Sequence, residues 1–286
     1  MHRPVCITYD STCDLTPQLL ERFRIRTVPL TIQSGERVFP DDGRYTSADL
    51  YADYRSRGTL PKTAAVSPEE FKSFFAPILA EGYDIVHIDI SAELSCTCQN
   101  AVLAAQELTE RGEIHVVDSR QLSTGGGLLA LRGAKLRDAG MAAADIAAEL
   151  RRLAPHSDTS FVLDTLEYMW KGGRCTGVAA FGANLLNLKP CIEMRDGKLE
   201  VCKKYRGNIE KVYHKYITER LSAQPVDPNY IFITTSNQPS PELAQQLENT
   251  VRAAVPDVKE VLFTRTGCTV TSHCGPGTLG VLFLEK

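Results

Sequence analysis

The chain has 286 residues, a formal net charge of -3, 43% hydrophobic and 23% charged residues. That length allows about two domains with large buried cores, and the charge balance removes the electrostatic case for nucleic acid or an anionic membrane surface. No apolar run approaches the roughly 20 residues that span a bilayer, and the nine cysteines are scattered with no Cys-x-x-Cys pair, which argues against a disulfide framework and for reduced, mostly buried thiols.

Met1-His2-Arg3-Pro4 leads directly into a strand-like segment over 5–9, so no signal peptide is expected and the expected location is the cytoplasm. A short helix over 16–23 with Pro17 in its first turn and a strand over 27–32 follow. Helices are predicted over 47–55 and 68–80, the second announced by Ser67-Pro68-Glu69-Glu70: a cap, a proline at the first position and acids in the first turn. Then come a strand over 83–90, an Ala- and Leu-rich helix over 99–108 and a strand over 114–118. This strand–helix rhythm predicts an α/β/α half with a parallel sheet and helices on both faces. Two helices broken near Gly140 fill 128–153.

Past that point the pattern changes. Strands over 189–194 and 198–204 flank Arg195-Asp196-Gly197, and Asp-Gly between two apolar runs signals an antiparallel hairpin. Further strands over 159–163, 230–235, 258–263 and 280–284, with helices over 209–221 and 241–254, predict an α/β half with a mixed sheet. The expected division is residues 1–156 and 157–286, with the boundary at 155–158 and a cleft between the halves.

Ligands of open parallel sheets sit beyond the carboxyl ends of the strands. Three such ends here are polar: Asp10-Ser11-Thr12, Ser91-Ala92-Glu93-Leu94-Ser95-Cys96-Thr97, and Asp118-Ser119-Arg120 with Ser123-Thr124-Gly125-Gly126-Gly127 beyond it. Ser95 lies at or just before a helix N-terminus, where its hydroxyl and the free amides would face an anion; the alternative is that Ser95 or Thr97 only caps the helix. The glycine run matches neither G-x-x-x-x-G-K-[ST] nor G-x-G-x-x-G, so no nucleotide cofactor is expected. Cys96-x-Cys98 and His273-Cys274 do not have the spacing of common zinc sites, so no metal is expected. His273-Cys274-Gly275-Pro276-Gly277 reads as a rigid turn presenting an imidazole toward the cleft.

Asp10-Ser11-Thr12-x-Asp14-Leu15, Val28-Pro29-Leu30, Thr63 before Ser67-Pro68, Leu94-Ser95-x-Thr97-x-Gln99, Asp118-Ser119, Lys171-Gly172-Gly173-Arg174, Leu186-Asn187-x-Lys189-Pro190 and His273-x-Gly275-Pro276-Gly277 occur in that order from about residue 5 to the end. In this the chain resembles the DegV family of bacterial fatty-acid-binding proteins. The resemblance implies a long-chain fatty acid held between the two halves, its carboxylate on Thr63 and Ser95. It places Arg174, Arg206 and His273 near the head group or facing a partner, and that partner would be the ATP-binding subunit of a fatty acid kinase, to which some members present the acid. No catalysis by the chain itself is implied. Cys96 stands where the family has glycine, and Ala64 where it has serine. Apolar walls are expected from Phe161, Leu163, Leu166, Met169, Val178, Phe181, Leu185 and Leu186. Two alternatives come from other classes: an acyl hydrolase or transferase using Ser95 and His273, and a phosphoryl-acceptor protein related to dihydroxyacetone kinases.

Overall fold

The computed structural model describes residues 3–175 and 188–286. In chain order its elements are β1 (Val5–Asp10), α1 (Pro17–Phe23), β2 (Ile25–Val28), β3 (Thr31–Ser34), β4 (Arg37–Pro40), α2 (Ser47–Arg57), β5 (Lys62–Ala64), α3 (Pro68–Ala80), β6 (Asp84–Asp89), α4 (Thr97–Gln106), β7 (Ile114–Asp118), α5 (Ser123–Asp138) and α6 (Ala143–Leu153). From β8 (Ser157–Val162) the chain runs through α7 (Glu167–Gly172), β9 (Leu188–Arg195), β10 (Lys198–Arg206), α8 (Ile209–Leu221), β11 (Val226–Thr235), α9 (Pro241–Ala254), β12 (Glu260–Arg265), α10 (Cys268–Cys274) and β13 (Leu279–Glu285).

The first sheet is the expected parallel one, ordered β2-β1-β6-β7. Every residue of β1 and β6 is buried, as strands covered on both faces require. Alternate residues point to opposite faces. Ile7, Tyr9, Val86 and Ile88 pack with α1, α5 and α6, whereas Cys6 and Ile85 pack with α3 and α4. The second sheet, β10-β9-β8-β13-β11-β12, is mixed: β11 and β12 run parallel and the other pairs antiparallel. Ile231, Ile233, Val281 and Phe283 turn toward α8 and α9, while Phe232 and Leu282 turn toward the same core as α5. Helix α5 is thus wedged between the two sheets.

The Asp-Gly hairpin forms as predicted, with Asp196 (φ 51°) and Gly197 (φ 81°) both left-handed. Other expectations need correction. The strand predicted over 27–32 is two strands in different sheets. Pro29 has no N–H for a ladder, and beyond it β3 leaves the parallel sheet to pair antiparallel with β4 and β5 in a third sheet the sequence pattern did not reveal. The Ser-Thr-Gly-Gly-Gly stretch, ahead of the helix predicted from residue 128, is the first turn and a half of α5. Its glycines serve close packing: a Cβ on Gly126 would collide with the Tyr9 hydroxyl, and one on Gly125 with the Thr159 hydroxyl. Among the described residues no helix is long and apolar enough to cross a membrane.

Candidate functional site

The loop that follows β6 is curled on itself. Ser91 accepts through its carbonyl from the amides of Leu94 (2.9 Å) and Ser95 (3.2 Å), and its hydroxyl donates to the Gly197 carbonyl (2.7 Å) in the β9–β10 turn. This anchors the loop from the first sheet to the second. Asp10, at the end of β1, accepts from the Thr12 amide (2.7 Å) and the Ile90 amide (2.7 Å), tying two strand ends together. Burial, with the Asp89 carboxylate nearby, pushes the Asp10 carboxyl up to about 7. Asp10 is therefore a structural pin outside the cavity lining, whereas Glu93, in the loop after β6, lines the cavity.

Two other carboxylates hold α10. Asp14 accepts from the Gly267 amide (2.7 Å), and Asp41 from the amides of Cys268 (2.8 Å) and Thr269 (2.9 Å). Negative groups on a helix's first free amides satisfy orphan donors and complement its dipole. Gly267 allows this approach, since a Cβ there would stand 3.1 Å from both Asp41 oxygens. The sequence pattern contained the Asp14 motif but no signal for Asp41.

His273 is in the last turn of α10, so the imidazole is presented by a helix and not, as expected, by the Gly-Pro-Gly turn. That turn ends the helix: Gly275 has φ 75° and lies where a Cβ would stand 2.5 Å from the Tyr168 ring. The His273 Nε2 and the Thr63 hydroxyl are 3.1 Å apart. Among the described residues the buried Nδ1 has no hydrogen-bond partner, and Gly172 rests against it so closely that any side chain there would strike the ring. Burial, and secondarily the Arg174 guanidinium, lower the His273 pKa from 6.5 to about 4. His273 is expected to stay neutral through the physiological range, which an imidazole NMR titration against the other histidines would read. Because the unfolded ring titrates near 6.5, its contribution to stability is present above that pH and is lost as pH falls toward about 4. An NMR midpoint at or above 6.5 would refute this environment.

Thr63, Ser95 and His273 line one cavity of about 490 Å³. The Ser95 hydroxyl lies 2.7 Å from that of Thr97 and accepts from the Thr97 amide at 3.2 Å. Ser95 thus lines the cavity and accepts from the first amide of α4, while the cap position itself is Cys96, which makes no side-chain cap bond. Ser95 and His273 are not hydrogen-bonded to each other: the serine's partner is Thr97 and the imidazole's is Thr63. The nucleophile–base pair that a hydrolase needs is not assembled. Arg174 borders the cavity and donates to the Gly172 carbonyl (2.8 Å). Arg206 is exposed at the end of β10 and is not among the lining residues. Cys96 and Ala64 both line the cavity.

The walls are apolar. Phe161 and Met169 line the cavity as expected, while Leu163 and Leu166 belong to the apolar cluster behind it. Val178, Phe181, Leu185 and Leu186 lie outside the described residues. Sequence reasoning missed Leu30, Ile90, Leu122, Leu199 and Val270. Thr269 and His273, and Val270 and Cys274, are i, i+4 pairs on neighbouring stripes of α10, a periodicity that marks the lining face once the segment is known to be helical. A further void of about 30 Å³ shares Leu122, Phe161, Val270 and Cys274 with the main cavity and extends it inward.

Over residues 4–286 the sequence matches the model of DegV, described as an uncharacterised protein of the DegV family. A DegV domain-containing protein of Deinococcus radiodurans is 30% identical over 285 residues, covering 97% of each chain. Among solved structures, the fatty-acid-binding DegV family protein of Thermus thermophilus is 30% identical with a TM-score of 0.88, covering 100% of both chains. A Thermotoga maritima protein whose structure reveals a fatty acid binding function is 26% identical with a TM-score of 0.85 and the same full coverage.

Proposed function

Because the chain belongs to the DegV family, we propose that it binds a long-chain fatty acid in the cavity shared by Thr63, Ser95 and His273, without acting as an enzyme by itself. The observation that carries this reading is the cavity's composition: the hydroxyls of Thr63 and Ser95 and a neutral imidazole in a space of about 490 Å³ whose remaining lining is mainly apolar, with Arg174 and Glu93 at its border. A fatty acid needs that combination, a small polar anchor and a long dry wall. Hydroxyl donors at Thr63 and Ser95 satisfy a carboxylate through charge-assisted hydrogen bonds. The fatty-acid-binding relatives of matching fold support the same ligand class. The chain divides at 156/157, and the acid lies between the halves.

Arg174 supports the finer part of the proposal, presentation of the bound acid to a separate ATP-dependent kinase. Its guanidinium borders the cavity and, among the described residues, donates to the backbone of Gly172, with further donors for a phosphate or an acidic partner surface. Arg206, exposed at the end of β10, belongs with a partner-facing surface and not with the carboxylate. The test is direct. Organic extraction of the purified protein followed by mass spectrometry should release a long-chain free fatty acid at near-stoichiometric yield. Absence of any acyl species, together with turnover of an ester substrate, would replace the carrier by the hydrolase.

A further inference from the structure

Strands β9 and β10 pair regularly until Val201 stands opposite Ile192, and then the register slips so that Lys203 stands opposite Cys191. Cys202 is the extra residue of a bulge. In a bulge two residues stand against one: the pairing up to Val201 already brings Cys202 into line with Cys191, and the slip sets Lys203 against Cys191 as well. The Cys202 thiol donates to the Cys191 carbonyl (3.4 Å), which sets its sulfur against residue 191. Glu193 and Arg220, the latter from α8, are the charged groups beside both sulfurs. The two thiols differ in access: Cys202 is exposed, whereas Cys191 is 3% exposed.

That arrangement is the one an oxidisable pair requires, with an accessible attacking sulfur and a sheltered resolving sulfur beside it. We propose that Cys202 and Cys191 are a peroxide-sensitive thiol pair that closes reversibly to a disulfide across the β9–β10 bulge. The neighbouring Cys191 holds the Cys202 thiol below its usual range, while Cys202 and burial push Cys191 up, and together with the exposure of Cys202 this makes it the sulfur that attacks. The Cys202 thiolate forms an S–O bond with hydrogen peroxide as the O–O bond breaks, and the departing hydroxide takes the thiol proton as water. The Cys191 sulfur then attacks the sulfenic sulfur: the S–S bond forms, the S–O bond breaks, and the hydroxyl leaves with the Cys191 proton as a second water. Two thiols lose two electrons and the peroxide gains them. Leu199 of β10 lines the cavity, and Ile192 of β9 packs in the cluster behind it, so closure stiffens a wall of the ligand site.

Full-length protein treated with hydrogen peroxide, alkylated, digested and analysed without reductant should yield a peptide cross-linked through positions 191 and 202. Its mass should be two hydrogens below the sum of the free peptides, and dithiothreitol should reverse it. In Cys191→Ser, where resolution is blocked, dimedone should trap a sulfenic acid at Cys202 at least about threefold faster than at the other exposed thiol, Cys96. Cys202→Ser should lose the cross-link while keeping the native circular dichroism spectrum. No 191–202 peptide from the folded wild type, or dimedone labelling at Cys202 no faster than at Cys96, overturns the proposal; so does a product dominated by disulfides between chains.

Discussion

Asp41→Ala is expected to lower the unfolding free energy by about 3 kcal/mol, the combined worth of two charge-assisted hydrogen bonds at a helix start. Asp41 is 6% exposed, and its two oxygens take the amides of Cys268 and Thr269 from a segment more than 200 residues away in the chain. With the side chain gone, two amides of α10 are left buried without acceptors, and no water replaces a carboxylate of that shape without opening the packing. Asp41→Asn should cost roughly half as much, since one oxygen remains but the negative charge on the helix dipole is lost. Because α10 carries Thr269, Val270, His273 and Cys274 into the cavity, ligand affinity should fall with stability in the alanine variant. Urea unfolding at unchanged m-value reads the stability. A loss below about 1 kcal/mol for Asp41→Ala would mean that Asp14, on the Gly267 amide, holds α10 by itself.

What the sequence disclosed follows the range of the interactions concerned. Ser67-Pro68-Glu69-Glu70 starts α3 with the hydroxyl and carboxylate exchange read from four adjacent letters, and Asp196-Gly197 turns the hairpin it announces. Local chemistry is sufficient there. The division of the strand at Pro29 was misread because what separates β2 from β3 is the sheet each joins, and β3 finds its partners at residues 37–40 and 62–64. The helix predicted from residue 128 starts five residues earlier, and the closeness of Tyr9 and Thr159, which demands glycine at 126 and 125, exists only in the folded chain. His273 is the instructive case. The Gly-Pro-Gly signal was real, yet it marks the end of the helix that bears the imidazole. Thr63 and Ser95 were legible through a family resemblance and do line one cavity, but the partner that the structure gives Thr63, His273 at 210 positions' separation, could not be read from either residue's neighbours. Asp41, whose contacts are equally distant, was invisible for the same reason.

Ser95→Ala is expected to weaken long-chain fatty acid binding by about 1.5–3 kcal/mol, or about 10- to 150-fold in Kd, the usual worth of a hydroxyl donor to a charged group. The structure shows why this serine is free to donate. Its oxygen already accepts from the Thr97 amide, and the fully buried Thr97 hydroxyl, 2.7 Å away, has Ser95 as its partner. When Thr97 supplies the proton of that contact, the Ser95 proton is available to a carboxylate in the cavity. Removing the hydroxyl also removes a contact at the start of α4, which should cost the protein about 1 kcal/mol or less; the unfolding midpoint therefore separates the two effects. Thr63→Val keeps the side chain's shape and deletes its hydroxyl, leaving His273 Nε2 without its partner as well. Its effect on affinity should be similar. If both hydroxyls grip one carboxylate, the double variant should lose less than the sum of the single losses, because after the first deletion the acid is no longer held in register for the second. Titration of the four proteins with a fluorescent long-chain acid measures this. Strict additivity would mean that Thr63 and Ser95 act on separate parts of the ligand, and an unchanged Kd for Ser95→Ala would return that residue to a capping role alone.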